Sequence, residues 1–570
     1  MTAASAPARP ERAGVTVRGG VPSVMALRRP ELVALAGYCA IALAVGWNLL
    51  GHFGTAVWGT SGDTTEFLWK LWWVPHALGA HLNVNFAPQV FPESGGYDLG
   101  SAAMSPTATW LFMPVTIAFG AITTYNVVML LSFVIGGMGT FLLARRLGAG
   151  AAGAFLAGAV YVLGPFHMLE IGYHLHEGQL GYLPWVFWAM DRQMESARWR
   201  DAALTGVFFA MASMTDWYEL AYLLFSLPFF ILLRPGGRAP WRRLLGSAAV
   251  AAAVAAVVMG PFVIPVVHYS LAHHPPADMG EWLSYSDPLG FYLTLHTVLA
   301  AAVIAAFASL ARGYRRAAAC LLVVASVGFV LSLGPVLRLD FTNPVTLDMK
   351  APAALHALAQ SLTGRTDPRL TVIPLPDYLL MRLPGAKGLR SMSRAEILVD
   401  FGVAVAAGLG LTVMLRRRHR LRPVGIVAAV LLAAVVGVGA AVAAPPIVTP
   451  APRPVDFWLA QRPSARLIQL PFDDGHTGYQ LYWSEFNHME PELAQATTLP
   501  PPLPDAVGVF LRAFPSDPAW VAVLRQWKTK YLLVETAHVA DINSFRARVS
   551  GWGLTRLATL GGIDVYDVGS

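Results

Sequence analysis

The sequence predicts a polytopic α-helical membrane protein that ends in a small external α/β domain. Three observations carry this. Only 13% of the 570 residues are charged and 55% are hydrophobic, whereas soluble chains carry roughly 25% charged residues; the mean hydropathy is +0.52. Apolar runs of the length a bilayer requires, about 18 residues or more, recur with arginine clusters between them. After Pro445 the composition turns polar, beginning with the proline-rich connector "APPIVTPAPRP".

The arginines set the orientation. Arg28/Arg29, Arg145/Arg146, Arg192 to Arg200, Arg234 to Arg243, Arg312 to Arg316 and "RRRHRLR" (Arg416 to Arg422) are expected on the cytoplasmic side. The net charge of +7 is thus a membrane-orientation signal. No basic patch interleaved with stacking aromatics points to nucleic acid. Residues 1–30 read as a cytoplasmic tail, too long for a signal peptide and with no A-x-A site after the first apolar run. Cys39 and Cys320 fall inside apolar runs and read as packing residues.

Residues 31–444 form the transmembrane domain in this reading. Spans are expected near 31–50, 123–144, 151–168, 179–191, 201–215, 219–233, 244–266, 289–311, 317–334, 395–415 and 424–444, about eleven in all. The stretch 106–121, with Pro106, Pro114 and an end at Gly120, is expected to lie in the outer interface. A full crossing there would place Arg145 and Arg146 outside. Residues 51–122 then form a large external loop, and 335–394 a second. Residues 445–570 form a soluble extracytoplasmic domain with strands at "RLIQLPF", "KYLLVE" and "IDVYDV" and helices at "PAWVAVLRQW" and "INSFRARVSGW". Arginine outnumbers lysine and alanine is abundant, a composition that hints at a GC-rich bacterial genome; the expected location is a bacterial cytoplasmic (inner) membrane.

Polar residues beside spans are costly, so where they gather is informative. In this topology they gather outside. "GTSGDTTEFLWKLWW" supplies Asp63 and Glu66 at the start of a helix, in a capping-box-like spacing, with His76 further along. Trp69, Trp72 and Trp73 suit the lipid headgroup level. "HMLEIGYHLHEGQ" supplies Glu170, His174, His176 and Glu177, and "TDWYE" supplies Asp216 and Glu219, all candidate pocket residues. "RLPGAKGLRSMSRAEIL" carries Arg382, Lys387, Arg390 and Arg394 with no acid before Glu396, a set suited to a lipid phosphate. Walker loops, dinucleotide fingerprints, H-E-x-x-H and nucleophile elbows are absent from the sequence.

An early span, then "GD" with a nearby acid in a large external loop, then many spans and an external α/β tail, resembles the GT-C glycosyltransferases. That superfamily includes protein O-mannosyltransferases and the aminoarabinose transferase of lipid A. "PFHMLEIGYHLHEGQLGYLPWVFWAMDR", "TDWYELAYLLF" and "LPGAKGLRSMSRAEILVDFGVAVAAGLGL" are similar to bacterial GT-C-like proteins, as is the tail "WLAQRPSARLIQLPF … WKTKYLLVET … LGGIDVYDV". The resemblance implies that Asp63 is the first-loop catalytic aspartate, a general base. It implies a polyprenyl-phosphate-sugar donor and a cell-envelope acceptor. His174 and Leu183-Pro184 match a recurring pattern of the group. Glu66 departs from versions with two adjacent acids, so a divalent cation is left open and no other cofactor is implied. A catalytically silent scaffold and a lipid or polysaccharide transporter stay as alternatives.

Overall fold

The computed structural model describes residues 29–59, 63–273, 278–341, 356–357, 359–361, 373–383, 386–416, 420–471, 474–492 and 514–569. The expected cytoplasmic tail up to residue 28 and nearly half of the second long loop lie outside the described residues.

The molecule is built around one buried helix, Glu396–Met414. Nearly all its side chains are enclosed, and His296–Leu310, Arg315–Ser332 and Ala151–Val162 pack around it. Its sequence, "EILVDFGVAVAAGLGLTVM", is apolar all round with frequent small residues, which lets neighbours approach on every side. Trp241–Ala272 and Arg422–Val442 are the opposite case. They turn apolar side chains such as Val257, Leu245 and Val438 outward, which in a lipid setting is a bilayer-facing surface.

Among the described residues five helices are long and apolar enough to cross a membrane: Met113–Arg146, Trp241–Ala272, Arg315–Ser332, Met392–Met414 and Arg422–Val442. The pair Met279–Leu293 and His296–Leu310, bent by 58°, makes a sixth if it is one broken span. Ala151–Val162 and Trp217–Leu233 are shorter apolar helices, which can sit in a bilayer when neighbours shield their ends. Gly120, at φ 83°, breaks the Met113–Arg146 helix into two segments. Side chains from three of the arginine clusters meet at one end of the bundle. Asp191 takes Arg146 and Arg234 at 2.7 Å each, and Arg192 pairs with Asp201 at 2.8 Å.

The tail contains a five-stranded mixed sheet in the order Glu490–Pro491, Arg466–Leu470, Tyr531–Glu535, Ile563–Asp567, Thr555–Leu560. Leu467 to Leu470 pair in parallel with Tyr531 to Val534, and the last three strands are antiparallel neighbours. Ile468, Leu532 and Val534 pack with Trp520, Phe545 and Val549 of the helices on one face. The tail is seated on the segment that follows the first helix. Val57–Trp58 pairs with Ile447–Val448, and Gly59 donates to the Pro446 carbonyl at 3.0 Å. The helix Asp474–Asn487 lies against Asp63–Gly79, with Leu481, Tyr482 and Trp483 in the same core as the membrane helices.

The burial of the Asp63–Gly79 helix corrects one expectation. Trp69 and Trp73 are fully buried rather than interfacial. They stack at 5.3 Å, Trp69 also lies 6.0 Å from Tyr97, and Trp73 Nε1 donates to Val84 O at 3.0 Å. Only Trp72 is partly exposed.

Candidate functional site

A constrained glycine stands shortly before the helix that bears Asp63. Gly59 has φ +146°, and a Cβ there would collide with the Thr64 side chain, so the approach to Asp63 tolerates glycine alone. Asp63 then projects toward the segment between Ala151–Val162 and Leu183–Ser196. His167 anchors that segment, its Nδ1 2.6 Å from Val162 O and its Nε2 2.8 Å from Ser132 Oγ and 3.0 Å from Gly178 O.

His174 is held at both ring nitrogens. Nε2 lies 2.9 Å from Asp63 Oδ2, and Nδ1 lies 2.5 Å from Glu170 Oε2. Burial alone would lower the imidazole, but the charge of Glu170 and the hydrogen bonds from both carboxylates raise it to about 9. His174 is therefore an imidazolium at neutral pH. Burial would raise Asp63. The His174 hydrogen bond and charge, with Lys70 and Arg394 further off, outweigh that and hold it below the ordinary carboxylate value. Glu170 is lowered in the same way, its burial outweighed chiefly by His174. Asp63 remains 44% exposed at its side chain, enough to receive a ligand.

Glu66 turns away from Asp63. It pairs with Lys70 at 2.7 Å and accepts from Tyr97 OH at 3.1 Å, all buried. Burial raises the Glu66 carboxyl, opposed by Lys70. Its role is to fix the helix against the 86–103 segment, where Lys70 also donates to Ala103 O at 3.1 Å. His76 is thirteen residues beyond Asp63, roughly 20 Å along the helix; it is exposed and stacks on Trp72 at 4.3 Å. The structure does not bring it to the cluster.

A second layer lies behind His174. His176 stacks on Phe67 at 4.7 Å, and its Nε2 is 3.5 Å from both Glu177 and Asp216. Arg394 enters from the start of the central helix, with Nε 2.5 Å from Glu177 and a terminal nitrogen 3.7 Å from Asp216, over the Tyr218 ring at 4.9 Å. Burial, then the cations Arg394 and His174, push His176 well below its usual value. Burial pushes Glu177 up against the opposing charge of Arg394. Glu219 is buried alongside. Arg390 pairs with Glu281 at 2.7 Å and lies over Tyr285, while Arg382 is exposed over Tyr378. The side chain of Lys387 lies outside the described residues. Of the four expected phosphate-binding cations, Arg394 thus faces two carboxylates, Glu177 and Asp216, and Arg390 faces one, Glu281.

Glu170, His174 and Glu177, and again His176, Glu177 and Asp216, have the donor types and spacing of a metal site. Neither fits one as arranged. In the first set both His174 nitrogens are taken by carboxylates. In the second the Arg394 guanidinium occupies the cation's place.

A cavity of about 180 Å³ adjoins this layer, lined among others by His176, Asp216, Trp217 and Arg394. A separate apolar groove of about 680 Å³ runs beside the short helix Pro165–Glu170, lined by Leu163, Met168, Leu169, Phe291, Val435 and Val438.

No protein-family profile matches the chain, and no curated protein matches it by sequence. Solved structures do. The arabinofuranosyltransferase AftD from Mycobacteria superposes with TM-score 0.62 at 17% identity, covering 96% of this chain and 40% of AftD. A mutant of the same enzyme gives 0.63 at 16% identity, covering 96% and 42%. The Archaeoglobus fulgidus oligosaccharyltransferase, solved with Zn and sulfate, gives 0.50 at 12% identity, covering 88% and 68%. The chain spans about two fifths of the length of AftD. The chain shares its fold with these solved structures.

Proposed function

We propose that the protein is a membrane glycosyltransferase that moves a sugar from a polyprenyl-phosphate-linked donor to an extracytoplasmic acceptor hydroxyl, with Asp63 as general base. The observation that carries this is the Asp63–His174–Glu170 array on a GT-C fold: an ionised, half-exposed carboxylate whose direction is set by a doubly anchored imidazolium.

In the reaction the bond from the acceptor oxygen to the sugar C1 forms as the bond from C1 to the phosphate oxygen breaks. The electron pair leaves with the phosphate, and the hydroxyl proton passes to Asp63. A carboxylate held below its ordinary value is a weak base toward a free alcohol. It takes the proton late, once bonding to C1 has made the acceptor oxygen acidic. Lipid phosphate is already a good leaving group, so cations at the phosphate matter more than an acid. Arg390, half-buried and directly after Leu389 in the wall of the 180 Å³ cavity, suits that role, with Arg382 and Lys387 close to it in sequence. The 680 Å³ groove, lined in part by Met168 and Leu169 of the helix that ends at Glu170, has the largely apolar lining a polyprenyl chain requires. Arg394 instead neutralises Glu177 and Asp216 and holds the cavity wall.

The test is transfer from labelled polyprenyl-phosphate sugars to envelope glycan, lipid or peptide acceptors by the purified protein in nanodiscs. Donor-dependent product supports the reading. Movement of intact lipid or glycan across the bilayer without bond transfer would favour a transporter.

A further inference from the structure

We infer that the 180 Å³ cavity is the donor's sugar pocket and that it admits a single monosaccharide. This rests on the glycosyltransfer reading and narrows its donor to lipid-phosphate monosaccharides.

Three features of the cavity point this way. First, its position. His176 in its wall is one ring away from His174, at 5.4 Å between centroids, and His174 touches Asp63. Leu389, also in the wall, directly precedes Arg390. A sugar seated here lies one ring away from the histidine that holds the base, and beside the residue that precedes Arg390.

Second, its chemistry. His176 Nδ1 is buried with no hydrogen-bond partner, and Asp216 Oδ2, though 3.5 Å from His176 Nε2 and 3.7 Å from Arg394, is buried without a hydrogen bond. Leaving such groups unpaired is costly, so walls of this kind are completed by a ligand that carries donors and acceptors. Ring hydroxyls supply both. Ser101 and Ser270 add hydroxyls, and the indole of Trp217 adds a flat apolar face for the C–H side of a sugar ring.

Third, its size. An engineered cavity of about 150 Å³ holds one benzene ring. A volume of 180 Å³ therefore takes one substituted five- or six-membered ring, and a second sugar would need about as much again. The small side chains Ala102, Ala103 and Ser270 set that volume.

The experiment measures binding to the full-length protein in nanodiscs of four probes. These are a short-chain polyprenyl phosphate, the same lipid phosphate carrying one pentose, one hexose, or a disaccharide. Each buried hydrogen bond is worth roughly 1 kcal/mol, so two of them tighten binding about tenfold or more. At least one monosaccharide-loaded lipid should therefore bind about tenfold or more tighter than the bare phosphate, and the disaccharide-loaded lipid no tighter than the bare phosphate. Ser270→Phe, which fills the cavity, should erase the monosaccharide preference while bare-lipid affinity is kept. Ala102→Val, a smaller intrusion, decides the matter if Ser270→Phe also loses the bare lipid.

The pocket assignment is overturned if the disaccharide-loaded lipid binds as tightly as the monosaccharide-loaded one, or if the preference survives the filling variants. Either result leaves the glycosyltransfer reading standing. If no lipid phosphate binds, the bare one included, both readings fall together, and that outcome is distinct from the other two.

Discussion

The doubly anchored imidazolium makes a pH-dependent prediction whose size follows from the structure. His174 is raised from 6.5 to about 9 in the folded protein, a difference of about 3 kcal/mol at 1.36 kcal/mol per unit. A group raised on folding contributes stability that is fully present below its unfolded value and lost as pH rises through the folded value. The contribution is thus about 3 kcal/mol at pH 6, about 2.5 kcal/mol at pH 7 and less than about 0.5 kcal/mol at pH 9. The perturbation is His174→Gln, which keeps a hydrogen-bonding side chain and removes the charge. The assay is thermal unfolding of wild type and variant in the same nanodiscs from pH 6 to pH 9.5. The stability gap between them should shrink by most of that amount across the range, the residue being the pH-independent loss of hydrogen bonds. In parallel, wild-type transfer should fall above about pH 9, as Asp63 loses its oriented partner, and the variant should lack that alkaline limb. A gap constant with pH would refute the assignment of His174 as the charged clamp.

Further outcomes follow from other parts of the molecule. Gly59→Ala places a Cβ against Thr64 at a backbone angle of +146°, strain of about 1–3 kcal/mol; it should lower the unfolding temperature and cut transfer more than tenfold. Gly51→Ala, where the backbone is helical and the space open, should change neither. Arg390→Gln removes a charge-assisted contact worth about 1.5–3 kcal/mol, so donor affinity should fall by one to two orders of magnitude; an unchanged donor KM would leave Arg390 only its pairing with Glu281. Protease added to the outside of cells stripped of their wall should cleave the tail after about Pro445, and cleavage only after lysis would invert the proposed topology.

How much of this was legible in the chain differs from element to element. "RLIQL", "YLLVE" and "IDVYD" form strands because their apolar residues are numerous enough to be buried whatever surrounds them. Thr555–Leu560 escaped notice because it is an exposed edge strand with no apolar alternation, and Glu490–Pro491 because it is two residues long. The membrane helices carried a clear composition signal. Their number is less readable, since a twelve-residue helix such as Ala151–Val162 is defined by the neighbours that cover it.

At the site, Glu170 and His174 stand four residues apart, a local spacing that places them side by side on a helical turn. The Glu66–Lys70 pair has the same spacing and could have been read from it. The contact of Asp63 with His174, by contrast, is made across more than a hundred residues by packing. Trp69 and Trp73 looked interfacial because the residues they pack against, Tyr97 and Val84, come from the irregular segment after the helix, whose path the sequence does not set. Arg394 looked like a free cation because its acids, Glu177 and Asp216, lie on two distant segments. Tyr97, Tyr218 and Ser270 carried no sequence signal at all; only the fold brings them to the site.

The central claim, that Asp63 is the base for glycosyl transfer, is tested most directly by measuring transfer and donor binding with Asp63→Asn in nanodiscs. Asparagine keeps the size and can still accept a hydrogen bond from His174, but it cannot take up the acceptor's proton. General-base contributions run to about 10²–10⁴-fold. The account predicts a loss of kcat in that range, with donor affinity and unfolding temperature close to wild type. Full turnover by the variant, or a defect confined to folding, would contradict it and leave Asp63 a structural partner of His174.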